Sequence, residues 1–169
     1  MRTDSTGEYD APERREITVT VNGEAVTAAV EPRVKLSDFL RSECGLTGVR
    51  VGCEHGVCGA CTVQQDGRAI KSCLSYAVQA DGAEVETVEG LADEDGSLHP
   101  IQEAFHETHA LQCGFCTSGF VVATKELLEE NPDPSREEIE RGLADNICRC
   151  TGYQNIYEAV ERAAAKMRE

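Results

Sequence analysis

From Glu16 the chain alternates. Ile17, Val19 and Val21 fall on one side, Asn22-Gly23 supplies a turn, and Val26, Ala28 and Val30 take up the same period of two. Alternation on both sides of an Asn-Gly pair predicts a β-hairpin with one buried face. Leu36, Phe39 and Leu40 recur at helical spacing, with Ser37 or Asp38 as cap and Cys44-Gly45 near the end, so a short helix follows. Cys61 through Val63, Asp66-Gly67 and Ala69 through Cys73 predict a second hairpin, and Glu84 through Val88 a last strand. Together these make a small mixed sheet packed on one helix.

The pattern changes after Ala92-Asp-Glu-Asp-Gly-Ser97, an acidic stretch of small residues that reads as a linker. Beyond it the apolar positions keep a helical period. Pro100 opens one helix. Thr117 to Glu130 forms a second, with Phe120, Ala123 and Leu127 on a face. Ser135 and Glu138 make a capping box for a third, with Ile139, Leu143 and Ile147 in step. A fourth starts near Tyr153 and carries Ile156, Val160, Ala163 and Met167. The organisation expected is a flexible tail over 1–15, a first domain over 16–91, a linker over 92–97 and a helical domain over 98–169.

Composition narrows the function. The 169 residues hold sixteen basic and thirty-one acidic side chains, a formal charge of -15, which repels phosphate backbones and anionic membranes. Nucleic acid is therefore not an expected partner, nor is membrane insertion. The first sixteen residues contain no apolar run able to serve as a signal-peptide core, so a cytoplasmic chain is expected. In that compartment nine cysteines read as metal ligands or redox thiols rather than as a disulfide framework.

Eight of the cysteines fall into two sets. Cys53, Cys58, Cys61 and Cys73 are spaced C-x4-C-x2-C with a fourth after eleven residues, the plant-type spacing for a 2Fe-2S cluster. The stretch GLTGVRVGCEHGVCGACTV has five glycines in nineteen residues, too many for a regular helix or strand, which places the first three thiols on a loop. An oxidised cluster with four thiolates carries a charge of about -2 and gains another on reduction, so the loop must turn N–H groups toward sulfur. Gly52, Gly56 and Gly59 lack the Cβ that would obstruct that approach. Zinc is the competing reading, although zinc motifs usually pair cysteines as two C-x2-C units and the x4 interval fits them poorly.

The second set is Cys113 and Cys116, then Cys148 and Cys150 after thirty-one residues. Spacing alone leaves iron-sulfur and zinc both open here. Each pair lies just before a predicted helix, whose N-terminal dipole and free N–H groups would favour an anionic cluster, and Arg149 adds a cation between two thiols.

The residues GCEHGVCGACTV followed by SC, and QCGFCTSGF followed by NICRCTGYQNI, resemble the iron-sulfur subunit of the molybdenum hydroxylases. That group includes xanthine dehydrogenase, aldehyde oxidoreductase and aerobic carbon monoxide dehydrogenase. The likeness runs from about Ile17 to Val160 and covers both cysteine sets in order. It implies an α+β chain, with an N-terminal β-grasp ferredoxin-like 2Fe-2S domain followed by an all-α four-helix 2Fe-2S domain. It also implies partners: a large subunit with a molybdenum-pterin cofactor and a medium subunit with FAD, with a dimer of such heterotrimers as an assembly it allows. Cys113, Cys116, Cys148 and Cys150 would then lie toward the pterin and the plant-type set toward the flavin. Gln112 matches a pterin-bonding glutamine, and Cys150 the ligand nearest the pterin amino group. A subunit so placed should bury an apolar patch around Gln112 and Tyr153, whereas a free-standing diffusible two-cluster ferredoxin, the competing reading, should not. Ser118 and Phe120 stand where many members carry proline and methionine. Serine suits a helix N-terminus, so no change in ligation is expected.

Other residues carry plainer expectations. Cys44 reads as a small buried apolar residue. His106 and His109 have no further ligand beside them and read as surface or interface histidines. His55 reads as a solvent-exposed or partner-facing residue of the cluster loop, able to tune the potential if it bonds there. Glu129, Glu130, Glu137 and Glu138 read as solvated helix faces. No Ser, His and Asp arrangement and no phosphate-binding glycine loop is present, so substrate chemistry is expected on another chain.

Overall fold

A computed structural model describes residues 13–92 and 95–168. Residues 1–12 of the expected tail, and Asp93 and Glu94 of the expected linker, lie outside the described residues. The alternating first segment forms β1 (Arg15–Val21) and β2 (Glu24–Val30), an antiparallel hairpin with Val19 opposite Val26. Ile17, Val19 and Val21 are buried as their spacing demands, and α1 (Leu36–Ser42) lays Leu36, Phe39 and Leu40 on that face.

The second hairpin is β3 (Thr62–Gln65) and β4 (Arg68–Lys71), and β5 (Glu84–Glu86) completes a five-stranded mixed sheet of order β2-β1-β5-β3-β4. Strand β5 lies between the hairpins, parallel to β1 and antiparallel to β3. It stops at Glu86, short of the expected Val88, because the Thr87 N–H turns to Asn22 Oδ1 at 2.8 Å and a single turn of tighter helix follows at Val88–Gly90.

Four α-helices follow: α2 (Pro100–Glu107), α3 (Thr117–Glu130), α4 (Arg136–Gly142) and α5 (Gln154–Met167). The Ser135 and Glu138 capping box forms, with the Ser135 N–H donating to Glu138 Oε2 at 2.7 Å. Ile101, Phe105, Phe120, Ile139, Leu143, Ile156 and Val160 share one core. Two expectations fail at helix ends. The third helix stops at Gly142, so Ile147 leaves the stripe and is 46% exposed, because the chain turns back through the Asn146 N–H to Leu143 O. Met167, in the last turn of α5, is exposed, and Ala159, Ala163 and Ala164 do the burying there.

Helix α3 lies along β3 and β4, which fixes both cysteine sets relative to one another. Lys125 Nζ donates to Gln64 Oε1 at 2.7 Å and pairs with Glu86 and Glu129, each at 2.9 Å. Gln64 Nε2 returns a bond to Glu129, and the exposed edge of β4 gives its Ala69 N–H to Glu126 Oε1 at 2.8 Å. Glu129 is exposed, as its sequence context suggests, and it also cross-links sheet and helix.

Candidate metal centres

The loop between α1 and β3 carries Cys53, Cys58 and Cys61, and Cys73 follows β4. Cys61 and Cys73 are buried and Cys53 and Cys58 half-buried. The thiols pair, Cys53 with Cys58 and Cys61 with Cys73. The N–H groups of His55, Cys58 and Val57 pull Cys53 down to about 6, while burial pushes Cys61 up to about 11. The Cys58 N–H stands 3.4 Å from Cys53 Sγ, so backbone donors do turn toward sulfur as the charge of a cluster requires. His55 is exposed and its Nδ1 engages the Cys53 carbonyl rather than a sulfur.

The three loop glycines divide by role. A Cβ on Gly52 would stand 3.2 Å from Cys58 Sγ, which fits an approach to sulfur, but at Gly56 it would meet Leu74 and at Gly59 it would meet Asn146. The latter two make room for neighbouring chain, a correction to the expectation that all three face thiols.

In the second set Cys116 immediately precedes α3, and Cys148 and Cys150 precede α5. Cys150 Sγ lies 3.6 Å from Cys113 Sγ, and Cys116 donates to Cys148. The Cys113 and Cys150 pair is exposed, next to exposed Gln112, while Cys148 is buried and Cys116 half-buried. The Phe115 N–H and the Cys150 thiol lower Cys113, and the same sharing raises Cys150. Burial pushes Cys116 up to about 12. Burial acts upward on Cys148 too, but the Thr151 hydroxyl and the N–H groups of Cys150 and Thr151 outweigh it. Arg149 is exposed between the two thiols.

Ser118 is the second residue of α3, not its cap, and its hydroxyl, like that of Thr117, is buried with no hydrogen-bond partner among the described residues. Phe120 is fully buried and meets Tyr153 edge to face at 6.3 Å. Cys44 is only partly buried, against the sheet-side core. His106 and His109 are both exposed.

The two sets adjoin. The Ile147 N–H donates to Cys58 O at 2.9 Å, and Asn146 Nδ2 donates to Gly59 O at 3.1 Å. Asn146, which sequence reasoning passes over, is 3% exposed and also holds Lys71 through its Oδ1 at 3.3 Å. Gly119 of α3 comes so near that a Cβ there would stand 2.2 Å from Gly59 O. Thr151 is likewise passed over, and Tyr153 is expected only as part of the apolar patch. A hydroxyl three residues from Cys148 is too generic to mark alone.

Among the described residues no three His, Cys, Asp or Glu side chains gather about one ion position. The thiols come two by two. A two-iron cluster takes two thiolates on each iron, whereas zinc takes its four ligands at a single point, so the donor set fits 2Fe-2S. Among the described residues no helix is long and apolar enough to cross a membrane.

Comparison with known proteins agrees with this donor set. Residues 19–92 match the family model described as a 2Fe-2S iron-sulfur cluster binding domain, and residues 87–161 one described as a 2Fe-2S binding domain. The chain is 57% identical over 148 residues to the nicotine 6-hydroxylase small subunit of Paenarthrobacter nicotinovorans, covering 88% of each. The chain belongs to the iron-sulfur subunits of the molybdenum hydroxylases. This iron-sulfur subunit is also 52% identical to the caffeine dehydrogenase subunit gamma of Pseudomonas sp. strain CBB1, over 86% of its own length and 88% of that relative. Its fold matches the crystal structure of quinoline 2-oxidoreductase from Pseudomonas putida 86 with a TM-score of 0.89 at 46% identity, over 92% of this chain and 97% of that one.

Proposed function

We propose that Cys53, Cys58, Cys61 and Cys73 hold one 2Fe-2S cluster in a β-grasp domain over 16–91. Cys113, Cys116, Cys148 and Cys150 hold a second in the four-helix domain over 98–169. In this reading the chain is the electron relay of a cytoplasmic molybdenum hydroxylase, between a molybdenum-pterin centre on a large subunit and FAD on a medium one. A bound 2Fe-2S cluster supplies a site that accepts and releases one electron at a time.

The observation that carries the proposal is the bond from the Ile147 N–H to Cys58 O. It links the backbone of a first-set thiol to the neighbour of Cys148 in the second, so the two sets are joined by covalent bonds and a single hydrogen bond. Helix α3 and Asn146 hold that junction rigid, and the sheet-to-helix bonds around Lys125 keep it from opening. The exposed Cys113 and Cys150 pair sits beside Gln112, and Leu111, Phe115 and Ile147 nearby are each 40% or more exposed. An exposed redox pair with exposed apolar side chains close to it in the sequence suits a surface covered by a subunit that brings the pterin to Gln112 and Cys150. It does not suit a freely diffusing ferredoxin. The relatives named for nicotine, caffeine and quinoline support a nitrogen-heterocycle as the substrate of the large subunit.

The test is expression with the neighbouring large and medium subunits. Co-purification of the three chains, with two distinct reduced 2Fe-2S signals by electron paramagnetic resonance, is the expected result. A chain that purifies alone with a single signal overturns the proposal.

A further inference from the structure

Cys148 sits in a closed ring of hydrogen bonds that the relay does not by itself require. The Cys148 N–H donates to the Tyr153 phenol oxygen at 3.1 Å, and the Tyr153 N–H donates to Thr151 Oγ1 at 3.2 Å. Thr151 closes the ring, with its Oγ1 at 3.1 Å and its N–H at 3.4 Å from Cys148 Sγ. A threonine hydroxyl has one proton and accepts through its lone pairs. With the Tyr153 N–H already on the oxygen, the remaining proton is directed at the sulfur.

Tyr153 is built to keep that orientation. Its φ of 71° is left-handed, a strained backbone for a residue with a side chain, and such strain persists only where the surroundings impose it. Its ring stacks on Tyr157 at 6.0 Å and meets Phe120 edge to face, and Tyr157 in turn carries the Arg136 guanidinium at 4.8 Å. Around the first set the comparable hydroxyl, Ser72 Oγ, directs its proton to the Cys61 carbonyl at 2.7 Å.

We propose that Thr151 is a positioning residue that raises the reduction potential of the second cluster, and that Tyr153 is the clamp that orients its hydroxyl. The inference rests on the ligation by Cys148 proposed above. Reduction adds negative charge that spreads onto the ligand sulfurs. A donor oriented before the electron arrives stabilises the reduced state more than the oxidised one, at no reorganisation cost. The hydroxyl thereby makes the second cluster a better acceptor without altering the first.

The experiment is a redox titration of the assembled three-subunit complex followed by electron paramagnetic resonance, which reads each cluster separately. Thr151→Val keeps the β-branch and removes the proton. It is expected to shift the second cluster's equilibrium about tenfold toward the oxidised state, about 59 mV for a one-electron couple, while the first signal stays in place. Thr151→Ser is expected to retain the native potential, and Tyr153→Ala, which removes the stacked ring that holds the backbone N–H against Thr151, to move it in the same direction as Thr151→Val. An unmoved potential in Thr151→Val, or an equal movement of both clusters, overturns the inference. Should the valine chain fail to load its second cluster, Thr151→Ala against Thr151→Ser decides the matter by the same criterion. A wild-type complex with fewer than two 2Fe-2S signals overturns the ligation reading itself, and the inference with it.

Discussion

Adding one methyl group at Gly119 tests how tightly the two cysteine sets are locked. In most helices Gly→Ala stabilises by about 1 kcal/mol, because alanine loses less backbone freedom. Gly119 is the third residue of α3, and its new Cβ would stand 2.2 Å from Gly59 O, 3.0 Å from Asn146 Nδ2 and 3.1 Å from Gly59 C. Ordinary carbon-oxygen contacts lie at about 3.3 Å or more, so helix and loop must part by about 1 Å. The loop resists, because the same Gly59 oxygen takes the Thr62 N–H at 3.1 Å, the Thr62 hydroxyl at 2.7 Å and Asn146 Nδ2 at 3.1 Å. Overpacking of this kind costs about 1–3 kcal/mol, and stretched hydrogen bonds add to it, so the expected net effect of Gly119→Ala is a loss of about 1–3 kcal/mol. For a chain of this size that lowers the thermal midpoint by about 2–12 °C. Thermal unfolding of the loaded chain, followed by circular dichroism and by cluster absorbance, measures it. A midpoint equal to or above that of the wild type would mean that loop and helix are not in contact as described, and the reasoning fails.

Three further outcomes follow from the same geometry. Lys125→Met removes the cation shared by Glu86, Glu129 and Gln64 and is expected to cost about 1–3 kcal/mol in thermal or denaturant unfolding; parity with wild type would refute the cross-link. Cys61→Ser and Cys150→Ser should each abolish one 2Fe-2S signal and spare the other, and a variant that loses both or neither contradicts the division into two sets. Ser118→Pro removes a buried hydroxyl without a partner among the described residues, in the first turn of α3, where N–H groups lack intrahelical acceptors. It should raise stability by about 0.5–1 kcal/mol with both clusters retained, and a fall in the thermal midpoint would show that the hydroxyl has a role.

The elements that rest on a repeating period were legible. Ile17, Val19 and Val21 alternate and are buried, and Ile156, Val160 and Ala163 follow a helical stripe into a common core. What the period cannot carry is the partner across a distance. Nothing in Glu84–Glu86 announces that this strand inserts between two hairpins, parallel to β1 on one side and antiparallel to β3 on the other. Ile147 continued a stripe on paper. In the fold its N–H is drawn to Cys58 O, ninety residues back along the chain to the nearest ten, and a helix would have taken that donor away. Glu129 looked like any solvated glutamate because its partner, Gln64, belongs to a distant strand.

Spacing divides the thiols into two groups of four. It does not divide them into pairs, because pairing depends on which sulfur each turn leaves inward. The loop glycines misled for a related reason. Chemistry suggested a single cause, approach to sulfur, while the fold applies it at Gly52 and gives Gly56 and Gly59 to Leu74 and Asn146. Thr151 and Tyr153 act through a left-handed residue and a stacked ring, and neither is visible before the chain is folded.

The central claim is that two 2Fe-2S clusters sit side by side on this chain, close enough to hand an electron across the junction of Cys58 and Ile147. Electron paramagnetic resonance of the assembled complex at half and at full reduction tests it most directly. Two clusters in contact through that junction should give two signals that each gain a magnetic splitting once both are reduced. A single signal, or two signals that remain unsplit and independent at full reduction, would contradict the relay.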